Sequence, residues 1–268
     1  MFECKELSRK FNTKQELFKN LVENKDLLIS KKKSEIVTHK YCNLPISANT
    51  NADATKSETL QSISAGDTIW ATTNTIGFLD SHGDVHAKGI WNKSAKEQNN
   101  KIYYIINHDL SLGNVIAYPK DVNIHILTKT WRELGYDADG ETEALTFEVK
   151  LSEYSNKAFM DALKAGAALQ NSVRMRYIDL ELCVNDKEYE AEYENWKSYI
   201  GDVVNRKDAE DLGYFWYVRQ AALVHESSAV LLGSNSVTPI NTSKEHEPSS
   251  DTRSNKQTSK SLTSLNLM

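Results

Sequence analysis

Between Asp67 and Leu232 the chain repeats one pattern: short runs of β-branched and aromatic residues, each cut off by turn-forming residues. "DTIWATTNTIGFLDSHGDVHAKGIW" (67–91) reads as two strands around an Asp-Ser-His-Gly-Asp turn. Further strands are expected at Ile102 to Ile106, Val115 to Tyr118, Val122 to Leu127, Leu145 to Leu151, Ser172 to Leu182 and Tyr217 to Leu232. "EYSNKAFMDALKAGAAL" (153–169) interrupts them with one helical face, Ala158, Phe159, Ala162 and Leu163, which Gly166 can close. A charge-rich helix is expected over Tyr189 to Tyr199. Strands in this number cover their apolar faces best in a mainly β, α+β domain, closed or nearly closed into a barrel, with helices outside.

The ends read differently. Leu17, Phe18, Leu21, Val22, Leu27 and Leu28 recur at near-helical spacing between Thr13 and Ser34, with Asn12 or Thr13 as cap and Lys31, Lys32 and Lys33 at the end that favours cations. Residues 1–44 are therefore an N-terminal helical segment, 45–65 a linker rich in Ser, Thr, Asn and Ala, and 66–240 the main domain. Residues 241–268 form a polar tail with too little apolar surface to fold alone.

Charge and composition narrow the function. A net charge of −5 opposes sequence-independent nucleic-acid binding, which needs a basic face. No apolar run is long enough for a membrane-spanning helix, and the N-terminus lacks a signal-peptide core, so a cytoplasmic protein is expected. Cys4, Cys42 and Cys183 are too scattered for a disulfide framework or a zinc knuckle. The chain lacks a phosphate-binding glycine loop, a Gly-x-Ser-x-Gly elbow and a His-Glu-x-x-His pair, and no cofactor or metal is expected. His82, Asp84 and His86 would align as ligands on a regular strand, but the turn residues among them favour a solvated hairpin.

Three stretches hold the remaining chemistry. In "LQNSVRMRYIDLEL" Ser172 opens a strand, and the period of two puts Arg174 and Arg176 on its face. The bland reading is a turn serine and a solvated arginine face; the chemical one is a hydroxyl with guanidiniums for a developing oxyanion. In "ALVHESSAV" Glu226 stands beside His225 in an apolar strand, and a buried carboxylate needs a partner such as an imidazole. In "YYIINHDLSLGNVIAYP" His108 ends a strand, where a histidine is either a solvated turn residue or one aimed at a site.

Four blocks in order, "DSHGDVHAKGIW", "INHDLSLGNV", "NSVRMRY" and "LVHESSAVLLGSNS", resemble the prohead maturation proteases of tailed bacteriophages, whose fold is related to the herpesvirus capsid assembly proteases. The resemblance covers roughly Ile69 to Ile240. It implies a serine endopeptidase in which Ser172 is the nucleophile, His108 its general base and Glu226 the group that orients the imidazole, with Arg174 and Arg176 as oxyanion-stabilising candidates. His225 is the alternative third member, on the herpesvirus Ser-His-His pattern, and Asp109 ranks last because neighbours on a strand face opposite ways. The resemblance further implies scaffold protein and major capsid protein as substrates, self-cleavage in the linker or tail, a location inside the procapsid in the host cytoplasm, and a homodimer. The rival expectations are a catalytically inactive scaffold or capsid component of the same fold, and a cytoplasmic host peptidase or stress protein.

Overall fold

The structure is a computed structural model that describes residues 2–4, 6–38 and 62–242. In chain order its elements are β1 (Phe2–Cys4), β2 (Arg9–Phe11), α1 (Lys14–Glu23), α2 (Lys25–Ser34), β3 (Thr68–Thr75), β4 (Asp84–His86), α3 (Asn92–Gln98), β5 (Tyr103–Ile106), β6 (Val115–Ala117), β7 (Val122–Thr130), β8 (Glu141–Lys150), α4 (Lys157–Lys164), β9 (Gln170–Val184), α5 (Glu190–Tyr199), α6 (Arg206–Leu212), β10 (Tyr214–Val230) and β11 (Ile240–Thr242).

The long strand β10 organises one sheet. Its first half pairs in parallel with β4 and its second half, on the same edge, in parallel with β5, while β9 runs antiparallel along its other edge. β6 adds to β5. The second sheet is antiparallel in the order β11, β3, β8, β7. Ile69 and Ala71 of β3, Phe147 and Val149 of β8, Val173 and Met175 of β9, and Trp216 and Val218 of β10 share one core.

The expectation of a closed or nearly closed barrel is corrected: among the described residues both large sheets are open. β10 bulges between Leu223 and Ser227, and its opposite edge is divided between two short strands, so twist is spent on local bends rather than closure. The 67–91 stretch also departs from a simple hairpin. Its first strand pairs with β8 and β11, leaving a single bridge, Leu79 to Val85, across the turn.

The N-terminal helix is two helices, broken at Asn24, with Thr13 Oγ1 accepting from Glu16 N–H (3.1 Å) as the cap. Leu17, Phe18, Leu21 and Leu28 are buried in the same core as the sheets, whereas Leu27 is exposed. Ahead of them lies the β1–β2 hairpin, which the alternation rules did not suggest. Residues 45–61 of the expected 45–65 linker, residues 243–268 of the expected 241–268 tail, and Cys42 lie outside the described residues; Ile63, inside the expected linker, is buried, and Asn241 and Thr242, expected in the tail, pair with Trp70 and Ile69 of β3. Among the described residues no helix is long and apolar enough to cross a membrane.

Candidate active site

His108 owes its position to two consecutive left-handed residues. β5 pairs with β10 through Ala229 and Ile106, Asn107 N–H still reaches Ala229 O (3.0 Å), and then Asn107 (φ 54°) and His108 (φ 56°) turn the chain sharply. Asn and His are among the side chains that tolerate this region. Because His108 sits in a turn rather than on a strand, the alternation argument against Asp109 does not apply. Asp109 is set aside for another reason: its carboxylate accepts from the hydroxyl and backbone N–H of Ser111, which holds it below the usual carboxylate range and directs it into the loop.

The turn brings the His108 ring onto β10. Nδ1 lies 2.7 Å from Glu226 Oε1, with the two side chains 7% and 0% exposed. The other carboxylate oxygen, Oε2, accepts from Ser228 Oγ–H (2.7 Å), and Ser228 Oγ in turn accepts from His108 N–H (2.9 Å). Both oxygens of a fully buried carboxylate are thereby satisfied, as burial demands. In the tautomer whose Nδ1–H donates to this carboxylate, Nε2 presents its lone pair. Nε2 is itself buried and has no hydrogen-bond partner.

Ser172 reaches the same face from the other side of β10. It pairs directly with Ser228, so the two side chains share a face, and the period of two puts Glu226 there as well. Ser172 is buried (6% exposed). Its backbone is pinned by Ser227 Oγ–H donating to Ser172 O (2.9 Å). Its neighbour Asn171 is locked more firmly: Nδ2 donates to Thr238 O (2.9 Å) and Pro239 O (3.2 Å), and Oδ1 accepts from the Tyr104 hydroxyl. The structure thus joins His108 to Glu226 by a hydrogen bond and sets Ser172 on their sheet face, with no hydrogen bond from Ser172 to His108 Nε2.

The remaining candidates separate clearly. His225 lies in the β10 bulge at φ 65° and is exposed, so it does not join the buried pair. Arg174 shares the face of Ser172, is half-buried, and has a buried Nε without a hydrogen-bond partner; Arg176 is exposed. Ser228, Ser227 and Asn171 were not singled out from sequence. The Glu-x-Ser spacing of 226–228 was the available signal, since residues two apart on a strand share a face.

The His82–His86 stretch is not a solvated hairpin: Asp84 and His86 are fully buried. Asp84 accepts from Lys32 Nζ (2.7 Å) and from the Tyr177 hydroxyl (2.6 Å), and Glu6 lies 3.7 Å from Lys32. Burial works against the ammonium, but these carboxylates win and hold Lys32 above its ordinary range. Burial, and after it the charge of Asp84, pushes Asp80 up to about 8. Burial pushes His86 down to about 4, and its Nδ1 lies 3.1 Å from Asn74 Nδ2. Among the described residues no cluster of ligating side chains could hold a metal ion.

No protein-family model, curated protein or solved structure significantly matches this chain.

Proposed function

We propose that this protein is a serine endopeptidase of the prohead maturation kind, with a fold related to that of the herpesvirus assembly proteases, acting on scaffold and capsid-protein extensions and on itself inside the procapsid. The observation that carries the chemistry is the fully buried Glu226 bonded to His108 Nδ1, beside a sheet face that also carries Ser172. An enclosed carboxylate–imidazole pair with a free Nε2 is costly to build for structure alone, and it suits a general base.

In the proposed reaction Ser172 Oγ attacks the carbonyl carbon of a peptide bond as its proton passes to His108 Nε2. The carbonyl electrons move to oxygen, where the guanidinium of Arg174 or a backbone N–H stabilises the charge. On collapse the C–N bond breaks and Nε2 returns the proton to the leaving amine. Water, deprotonated by the same nitrogen, then hydrolyses the acyl ester and regenerates the serine. Glu226 holds the ring in the required tautomer and balances the imidazolium. The hydroxyl to Nε2 contact tightens when substrate enters.

Co-expression with scaffold and capsid proteins from the same genome, read by mass spectrometry of the particles, tests this. Wild-type chain trims the substrates and Ser172→Ala leaves them whole. Equal trimming by both, or none by either, sinks the proposal and leaves a non-catalytic assembly component.

A further inference from the structure

Beside Ser172, the edge of β9 that faces away from β10 is occupied by the chain's own N-terminal arm. Val37 N–H donates to Met175 O (2.8 Å) and Met175 N–H donates to Val37 O (3.2 Å), forming an antiparallel bridge. The segment is Ile36-Val37-Thr38, three β-branched residues suited to strand addition. Alternate residues of a strand aim their backbone groups at the same edge, so Val173 and Tyr177 present theirs beside those of Met175.

Two cavities meet at this bridge. One, about 450 Å³, is lined by residues including Leu28, Lys32, Glu35 and Tyr177. The other, only about 10 Å³, is lined by residues including Asn171, Ser172 and Asn235. Val37, Thr38 and His82 line both, so the arm is the partition between them. α2, which delivers this segment, is tied down by the buried Lys32–Asp84 pair.

We propose that this edge of β9 is the binding site for an extended polypeptide, taken up as an added antiparallel strand, and that residues 36–38 are its resident occupant, which keeps it closed until displaced. Removing the segment joins the two cavities into one groove that ends at Ser172. Backbone groups supply the contacts, so the ligand class is an unfolded chain with an apolar or β-branched residue opposite Met175. In an antiparallel pair, a chain running C-terminally from that residue comes level with Ser172 three residues later, as β9 itself runs from 175 back to 172. That the bound chain is cut rests on the peptidase reading above; the occupancy does not.

Two variants open the edge: Val37→Pro, which removes the donor to Met175, and replacement of residues 36–38 by three glycines. The probe is a fluorescein-labelled, end-blocked peptide with the sequence of residues 31–38, followed by anisotropy; the second readout is the rate of Ser172 labelling by a fluorophosphonate. Both variants, shown to be folded by their melting transitions, should bind the peptide at least about ten-fold more tightly than wild type, the equivalent of one backbone hydrogen bond. They should label at least about ten-fold faster, and a peptide with proline in place of Val37 should not bind. Equal or absent peptide binding in wild type and both folded variants overturns the strand-addition site. Tight binding with no labelling in any chain keeps the site and overturns the peptidase. Ser172-dependent labelling at equal rates in all three chains keeps the peptidase and overturns the closing role of the arm.

Discussion

Glu226 has no exposed surface, and its two oxygens hold two groups that also touch each other, His108 and Ser228. Replacing it with glutamine should cost a peptidase roughly 10²–10⁴ in kcat, because an amide cannot balance the imidazolium and favours the wrong tautomer, yet leave residual turnover. Single-turnover hydrolysis of a peptide substrate measures this. His225→Asn, which keeps the left-handed backbone and removes the ring, should leave the rate unchanged; a loss as large as that of Glu226→Gln would make His225 the third member after all. Asn107, His108 and His225 are three of the five described non-glycine residues with positive φ: His108 belongs to this pair, and the other two immediately precede its two members in the chain. Strain of about 1–3 kcal/mol each persists only where surrounding contacts over-determine the backbone, as at functional sites. Asp80 and His86 carry the pH dependence of the neighbouring buried network, which also holds Asp84, Lys32, Glu6 and Tyr177. The raised Asp80 makes the folded state bind a proton that the unfolded state has lost, so stability falls from pH about 4 to about 8. The lowered His86 acts oppositely, removing stability as pH falls from about 6.5 to about 4. The two oppose each other below pH 6.5, so urea midpoints should be nearly flat there and decline from pH 6.5 to 8; Asp80→Asn should abolish that decline.

At the scale of elements, the arm and the sheets meet at a glycine. Gly213 ends α6 at φ +83°, and a Cβ there would lie 2.7 Å from the Phe18 ring of α1. Gly213→Ala should destabilise the protein by more than the roughly 1–2 kcal/mol of left-handed strain alone, because Phe18 must also shift. Chemical denaturation of the variant, compared with Phe18→Leu and the double variant, separates the two contributions. The β10 bulge is the second decisive element. Between Leu223 and Ser227 it shifts the register against a regular β9, so that Ser228 falls opposite Ser172 while His225 is turned out to solvent. Most elements were legible from their period: the expected helix around Ala158 is α4, and the strand expected from Ser172 is β9, longer by two residues at each end. α3 and α6, each seven residues, were missed because so short a run has no room to show a 3.6-residue period.

For the whole molecule, the arm belongs to the main core. Burial of Leu17, Phe18, Leu21 and Leu28, at about 1.5–3 kcal/mol per side chain, sums to roughly 6–12 kcal/mol. A domain's whole stability is about 5–15 kcal/mol. Deleting residues 1–38 should therefore give a chain without a cooperative melting transition, whereas opening only 36–38 leaves the helices docked. Calorimetry of the two proteins checks the contrast.

The sequence by itself determined the α+β character, most strand positions, a helix cap at Asn12 or Thr13, and the short list from which a site can be drawn. Those follow from local rules, the two periodicities and the conformations that side chains such as asparagine tolerate, and they hold wherever the segments end up. Only the tertiary structure decided that the sheets stay open, that Asp84 and His86 are buried, that His108 bonds Glu226 rather than Asp109, and that the arm lies along β9. Each of these depends on which strand lies beside which and on where a bulge shifts the register. Pairings between residues more than a hundred positions apart, such as His108 with Glu226, leave no periodic trace in the chain.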